Sequence, residues 1–138
     1  MEGKATLRLR KPEKDNIQHL YHENYDVMHC EYSFHKEVSP EGKVRGDVQA
    51  GNILVALPIL PTDPIMSWVF DTSKKYNGEI TIHDAFEESL EKIYFEEGRP
   101  VHFRLHYEPG ENTHVVTLLT INAQKLIIGE EEYTNSWK

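Results

Sequence analysis

Cysteine and long hydrophobic runs are both scarce in this chain. Cys30 is the single cysteine among 138 residues, so an intrachain disulfide and a disulfide-held secreted fold are excluded. The longest apolar run, residues 53–57, ends at Pro58, far short of the ~20 residues of a membrane span. Residues 1–11 lack the apolar core of a signal peptide. We expect cytoplasmic assembly, no membrane insertion, and any export by a route that reads no N-terminal signal.

Positive charge is also scarce. The chain has 15 Lys and Arg against 23 Asp and Glu, a formal net charge of −8, which argues against binding nucleic acid or anionic lipid. Glycine-rich phosphate loops, a GxSxG motif and strand–helix alternation are missing. No carboxylates are paired in a pattern typical of acid–base catalysis. The sequence therefore predicts no enzyme and no cofactor.

The histidines and the cysteine give no clear chemical site. His102 and His106 lie four residues apart on one predicted strand, which separates their backbones by about 13 Å. That distance is too long for both side chains to reach one ion comfortably, so we predict no metal site. Cys30 alternates in phase with Met28, Tyr32 and Phe34, whereas His29 points to the opposite face. We predict that Cys30 is a buried, inert, structural residue.

Period-2 alternation of apolar and polar residues dominates the chain and predicts antiparallel strands. The predicted strands cover residues 4–10, 25–37, 52–60, 79–83, 92–95, 100–107, 113–122 and 124–128, and residues 98–100 predict a kink within one long strand. Residues 11–24 are predicted to be an irregular connection, and residues 84–91 fit either a helix or a strand. The whole chain, 1–138, is predicted to be one mainly β domain, a small antiparallel β-barrel with one α-helix.

The predicted helix begins at Thr62 or Asp63, because both are good N-caps and Pro64 suits the first turn. Its apolar stripe places Trp68 in the core. Lys74 and Lys75 are predicted near its C-terminus, and Asn77-Gly78 is predicted to end it and turn the chain.

Residues 38–51 are predicted to be a long loop, because they contain Pro40, Gly42, Gly46 and Gly51. Fourteen residues is long for a plain hairpin, and long loops are usually functional or disordered. The following strand, 52–60, is apolar on both faces, so we expect both faces to be covered.

Three separated segments resemble one known family. They are residues 25–43 (YDVMHCEYSFHKEVSPEGK), residues 127–137 (IIGEEEYTNSW) and residues 4–9 (KATLRL). They resemble the Hcp (TssD) tube proteins of type VI secretion systems in their Bacteroidota form, and the order of elements agrees over nearly the whole chain. The resemblance implies a β-barrel with one helix that assembles into six-membered rings.

The same resemblance implies that the rings stack into a hollow tube, which a contractile sheath expels. The implied partners are further copies of the chain, the sheath, spike and baseplate proteins, and secreted effectors. Export would then run through the type VI apparatus without a signal peptide. In the family the loop after the second strand reaches toward the next ring.

We therefore predict that the loop 39–47 mediates ring stacking. Lys43 and Arg45 are cations in an acidic chain and would be attracted to an acidic rim on the next ring. The predicted stacking residues are Pro40, Glu41, Gly42, Lys43, Val44 and Arg45, and the candidate acidic rim is Glu130, Glu131 and Glu132.

The sequence also fits two other functions. One is a tail-tube protein of a phage or an extracellular contractile injection system. The other is a monomeric β-barrel that binds a small ligand in an apolar cavity. An enzyme is the weakest alternative, because the sequence shows no activated nucleophile and no acid–base pair.

Overall fold

The structure is a computed structural model that describes residues 3–11, 23–38, 44–84, 86 and 88–134, with the backbone alone for 35–38 and 44–50. In chain order the elements are β1 (Lys4–Arg10), β2 (Glu23–Val27), β3 (His29–Val38), β4 (Val44–Leu57), α1 (Asp63–Phe70), β5 (Tyr76–His83), β6 (Ser89–Glu108), β7 (His114–Asn122), β8 (Lys125–Ile128) and β9 (Glu131–Thr134). The mainly β fold with one helix is the predicted fold class.

Two packed sheets share the long strand β6. Sheet A contains β2, β1, β5, the first half of β6, β8 and β9, and sheet B contains the second half of β6, β7, β4 and β3. All of these pairings are antiparallel. The strand bends between the sheets at the predicted kink, where Glu97 has a φ of 51° and the register shifts between Pro100 and His102. A bulge of this kind is a common way to turn a strand from one sheet to another.

The expected barrel does not close. The pairing order runs β2-β1-β5-β6-β7-β4-β3, and among the described strands β2 and β3 at its two ends do not pair. They are instead consecutive in the chain, joined at Met28, whose N–H donates to Ala56 O at 2.8 Å. One predicted strand over 25–37 is therefore two strands, one in each sheet.

The core lies between the two sheets. Fully buried side chains alternate along β1, β4, β6 and β7; the largest are Trp68, Phe95, Leu7, Leu9, Ile53, Leu57, Ile65, Ile80, Ile93, Leu119, Ile121 and Leu126. In β4, Ile53, Val55 and Leu57 face this core. The other face of the strand is only partly covered at Leu54, whereas the small Ala56 is 4% exposed.

The helix begins as predicted but ends earlier. Thr62 caps it and accepts a hydrogen bond from the Ile65 N–H at 3.4 Å. It ends at Phe70, because Asp71 leaves the helical conformation and its carboxylate instead accepts bonds from the N–H and hydroxyl of Ser73. Lys74 and Lys75 therefore lie beyond the helix, contrary to the prediction.

Asn77-Gly78 is not a turn. Both residues are buried inside β5, where Asn77 Oδ1 accepts a hydrogen bond from the Glu97 N–H at 2.8 Å. A Cβ on Gly78 would lie 2.5 Å from the Phe95 ring. The glycine is needed for close approach of that ring, a tertiary requirement that a local turn signal does not reveal.

The predicted long loop over 38–51 is also wrong. β3 continues to Val38 and β4 begins at Val44, and these two residues pair with each other. Gly46 and Gly51 thus lie within a strand, where register shifts accommodate irregular pairing. Gly51 packs directly against Phe34. A Cβ at position 51 would lie 2.8 Å from the Phe34 ring, so a larger residue would not fit there without a shift. Residues 12–22, most of the predicted irregular connection, lie outside the described residues.

Candidate assembly surfaces

Sheet B has two free edges on opposite sides. Within the described residues, β3 pairs only with β4, and the second half of β6 pairs only with β7. The outer backbone groups of both strands are therefore available to another strand. Exposed strand edges are templates for pairing with a further chain, and monomeric proteins normally protect them.

Both free edges carry exposed apolar side chains. On or beside β3, Met28 is 51% exposed, Tyr32 39% and Phe34 40%, and on β6 Leu105 is 41% and Tyr107 49% exposed. The sequence placed the first three of these residues on one face with Cys30 and predicted that Cys30 is buried; in the isolated chain the three are substantially exposed. Tyr32 lies opposite the buried Ile53 and so faces sheet A, where its hydroxyl donates to Glu91 Oε1 at 3.1 Å. Sheet A covers this edge only in part, because Tyr32 remains 39% exposed.

The Cys30 thiol is partly buried rather than fully buried. Burial, with smaller contributions from the carboxylates of Glu91 and Glu31, raises the pKa of the Cys30 thiol to about 11. At pH 8 roughly one thiol in a thousand would then be a thiolate, the reactive form. His29 points to the other face and contacts Glu31 at 2.9 Å. The environment of Cys30 thus disfavours a nucleophilic role.

The outer face of sheet B, which points away from sheet A, carries neutral side chains at its centre and ionisable side chains at its edges. Its two central strands present neutral side chains: Asn52, Leu54, Ala56, Val116, Leu118, Thr120 and Asn122. Its ionisable groups lie on the edge strands and at the start of β7: His29, Glu31, His102, Arg104, His106, Glu108 and His114. Four of the five histidines with described side chains occupy this face, the fifth being His83.

The predicted stacking loop is only partly visible. Pro40, Glu41, Gly42 and Lys43 lie outside the described residues. The backbones of Val44 and Arg45 belong to β4, where they pair with Val38 and Glu37. The connection between β3 and β4 is therefore much shorter than the loop predicted from the glycines.

The predicted acidic rim is exposed and lies beside β3. Glu131 and Glu132 belong to β9, and Glu132 forms a salt bridge of 3.1 Å with Lys125, a contact that raises the pKa of that lysine. The ring of Tyr133 packs on Phe34, with ring centres 5.3 Å apart. The structure thus places the rim on the same flank of the protomer as the β3 edge, with one of its three carboxylates already paired.

One protein-family model matches this chain over its whole length. The family model described as "Hemolysin coregulated protein Hcp (TssD)" matches residues 1–138. This chain belongs to the Hcp (TssD) family. The family resemblance noted in the sequence is thereby confirmed, and the chain is a tube protein of the type VI secretion class.

Solved structures share the Hcp fold at low sequence identity. Hcp1 from Flavobacterium johnsoniae is 15% identical, with 94% of this chain and 98% of that chain covered and a TM-score of 0.75. A mutant of Hcp1 from E. coli EAEC 042 is 14% identical, with coverage of 97% and 99% and a TM-score of 0.68. A chain of the anti-feeding prophage baseplate is 12% identical, with coverage of 93% and 93% and a TM-score of 0.56. No curated protein sequence matches.

Two further observations bear on site chemistry and location. Among the described residues, no group of three or more His, Cys, Asp or Glu side chains is arranged to hold a metal ion. In the same part of the chain, no helix is long and apolar enough to cross a membrane.

Proposed function

We propose that six copies of this Hcp chain form a ring, in which the free β3 edge of one protomer pairs with the free β6 edge of the next. The observation that carries this proposal is that sheet B has two different free edges on opposite sides, each with exposed apolar side chains. Pairing between different surfaces is heterologous, and a heterologous contact forms a closed ring when the rotation between neighbours divides the full circle.

The arrangement of layers determines which face of the ring is inside. Sheet A and α1 cover one face of sheet B, and these bulky layers need the larger circumference on the outside. The outer face of sheet B, defined above, then lines a central channel. Its neutral central strands, with Leu54, Leu118 and Thr120, and its histidine-bearing edges would contact effectors carried inside the tube.

Rings of this kind would stack into a tube that cooperates with sheath, spike and baseplate proteins and leaves the cell through the type VI apparatus. We assign the chain a structural role rather than a catalytic one, in keeping with the family and with the protonated Cys30 thiol. The likeness to the anti-feeding prophage chain supports a second candidate, the tube of an extracellular contractile injection system. The genes adjacent to this one would distinguish the two systems.

The mass of the assembly in solution tests the proposal of a six-membered ring. Native mass spectrometry of the full chain at micromolar concentration is expected to show six copies, and negative-stain images are expected to show a central channel. A monomer as the only species would contradict the proposal and would favour the small-ligand-binding barrel.

We also propose that the segment around Lys43 and Arg45 contacts the next ring in a stack. The turn between β6 and β7 lies at the opposite end of sheet B from the β3–β4 connection, because β4 and β7 are antiparallel. That turn contains the exposed Glu111. In a head-to-tail stack, Glu111 of one ring would face Lys43 of the next, as an alternative to the rim at Glu130, Glu131 and Glu132.

The double variant Lys43→Glu, Arg45→Glu is expected to keep the ring intact but to reduce tube formation and secretion. Each exposed ion pair contributes only about 0–1 kcal/mol, but a six-fold ring repeats every contact. Electron microscopy of tubes and the secreted fraction are the measurements. Restoration of tubes by Glu111→Lys would identify the turn as the partner, and restoration by Glu131→Lys would identify the rim. Normal tubes in the double variant would show that these charges do not matter.

A further inference from the structure

Two histidines meet across adjacent strands at the exposed end of the β6–β7 hairpin. His114 lies near Glu108, its partner in the register, and His106 lies opposite Val116, so the two imidazoles are diagonal neighbours on the outer face of sheet B. Their ring centres are 5.9 Å apart at an interplanar angle of 64°. Two imidazoles bound to one tetrahedral zinc ion at ~2.0–2.1 Å have ring centres roughly 5 Å apart. The two ring centres would have to approach by roughly 1 Å to reach that separation.

Glu108 orients one of the two rings. Its Oε1 lies 3.0 Å from His106 Nε2, so a protonated Nε2 donates to the carboxylate and leaves Nδ1 as the free electron-pair donor. Histidines that bind metal commonly donate their other ring N–H to a carboxylate, which fixes the tautomer and makes the ligand more basic. In this exposed pair, with side chains 45% and 66% accessible, the carboxylate would hold Nδ1 of His106 free to coordinate a metal ion.

We propose that His106 and His114 bind a zinc ion at the end of the β6–β7 hairpin, with Glu108 as the positioning residue for His106. Neutral imidazole is a preferred ligand of zinc. The site has two protein ligands, and water completes the coordination. Among the described residues, Arg104 is the one cationic side chain near this site on the outer face of β6. Its repulsion of a metal ion is offset by the carboxylates of Glu108 and Glu111.

The spacing of histidines along a single strand does not predict this site. His102 and His106 share a strand and a face but are about 13 Å apart, whereas His106 and His114 are eight residues apart in sequence and adjacent in space. The site does not depend on ring assembly, because edge pairing uses the backbone and the opposite face of β6.

Zinc binding by the full chain is tested by isothermal titration with Zn²⁺ at pH 7.5. Other histidines can bind zinc weakly, so the informative quantity is the difference between variants. His106→Ala and His114→Ala are each expected to remove one site, and the double variant is expected to remove no more than either single variant. His102→Ala is the matched control and retains the site. Glu108→Gln is expected to keep the site with about tenfold weaker affinity, as for other outer-shell partners of ligating histidines.

Spectra of the copper-loaded chain count the ligands directly. Cu²⁺ at one equivalent is expected to show two coupled imidazole nitrogens in the wild type and one in either single variant. Unchanged stoichiometry in both single variants would overturn the proposal. Additive losses in the double variant would also overturn it, because they indicate two independent histidines that bind an adventitious ion only.

Discussion

Replacing Trp68 by alanine is expected to lower the free energy of unfolding by about 3–5 kcal/mol, the range for truncating a buried large aromatic side chain. Trp68 is 1% exposed, and its Nε1–H donates to Gly98 O at 3.0 Å. The ring also packs edge-on against Tyr76, with centres 5.3 Å apart. It connects α1 to the bend of β6, so the cavity would lie where the two sheets meet.

The same helix offers a matched control. Phe70 is 76% exposed, so Phe70→Ala is expected to change stability by no more than about 0.5 kcal/mol. Trp68→Phe keeps most of the apolar surface but leaves Gly98 O without its donor, and an intermediate loss is expected. Chemical denaturation monitored by circular dichroism measures all three. Equal stabilities for Trp68→Ala and Phe70→Ala would show that the helix does not anchor the core.

The features predicted well from the sequence are those that depend on local pattern. Alternation located β1 at residues 4–10, because one side of the strand faces the core, and the capping residues Thr62 or Asp63 before Pro64 located the start of α1. The kink at residues 98–100 was also predicted correctly, since Pro and Gly disfavour a regular ladder at that point.

The errors arise where tertiary contacts override local signals. Gly46 and Gly51 resemble loop residues, but pairing with β3 keeps both of them in a strand. Gly78 resembles a turn residue, but its position is determined by Phe95, a residue seventeen positions away. Contacts of that kind carry no local sequence signature.

The candidate surfaces were the least predictable part of the molecule. The alternation of Met28, Tyr32 and Phe34 correctly indicates an apolar face, but alternation cannot show whether the covering layer belongs to the same chain or to a neighbour. The pairing of His106 with His114 depends on the register of β6 and β7, which the sequence does not specify. Their proximity was therefore visible only in the structure.

Charged substitutions at the two free edges of sheet B are expected to abolish the ring while leaving the protomer folded. Leu105→Lys places a cation on the β6 edge, and Tyr32→Lys places one on the β3 edge. Both side chains are about two-fifths exposed, so the isolated chain can keep the new ammonium groups in water. A ring would take both ammonium groups out of water, which costs several kcal/mol per ion, and Glu91, which accepts from the Tyr32 hydroxyl at 3.1 Å, could offset part of that cost at position 32 only. Lysines on edge strands are a known means of preventing edge-to-edge pairing.

Native mass spectrometry is expected to show monomers for each variant alone, with melting temperatures close to that of the wild type. Arg104→Gln is the control, since Arg104 lies on β6 but points to the outer face of sheet B. This variant is expected to form the six-membered ring normally. A mixture of the two lysine variants gives the sharpest test. The Leu105→Lys chain keeps an intact β3 edge, and the Tyr32→Lys chain keeps an intact β6 edge.

One productive contact therefore remains in the mixture, and a one-to-one dimer that grows no further is expected. If like edges paired instead, Leu105→Lys alone would dimerise through β3, and Tyr32→Lys alone would dimerise through β6. That outcome would make the interface isologous, and an isologous contact closes at two copies. The ring proposal requires different edges to meet, so dimers of either single variant would contradict it. Dimers found only in the mixture would show that the β3 edge of one protomer pairs with the β6 edge of the next.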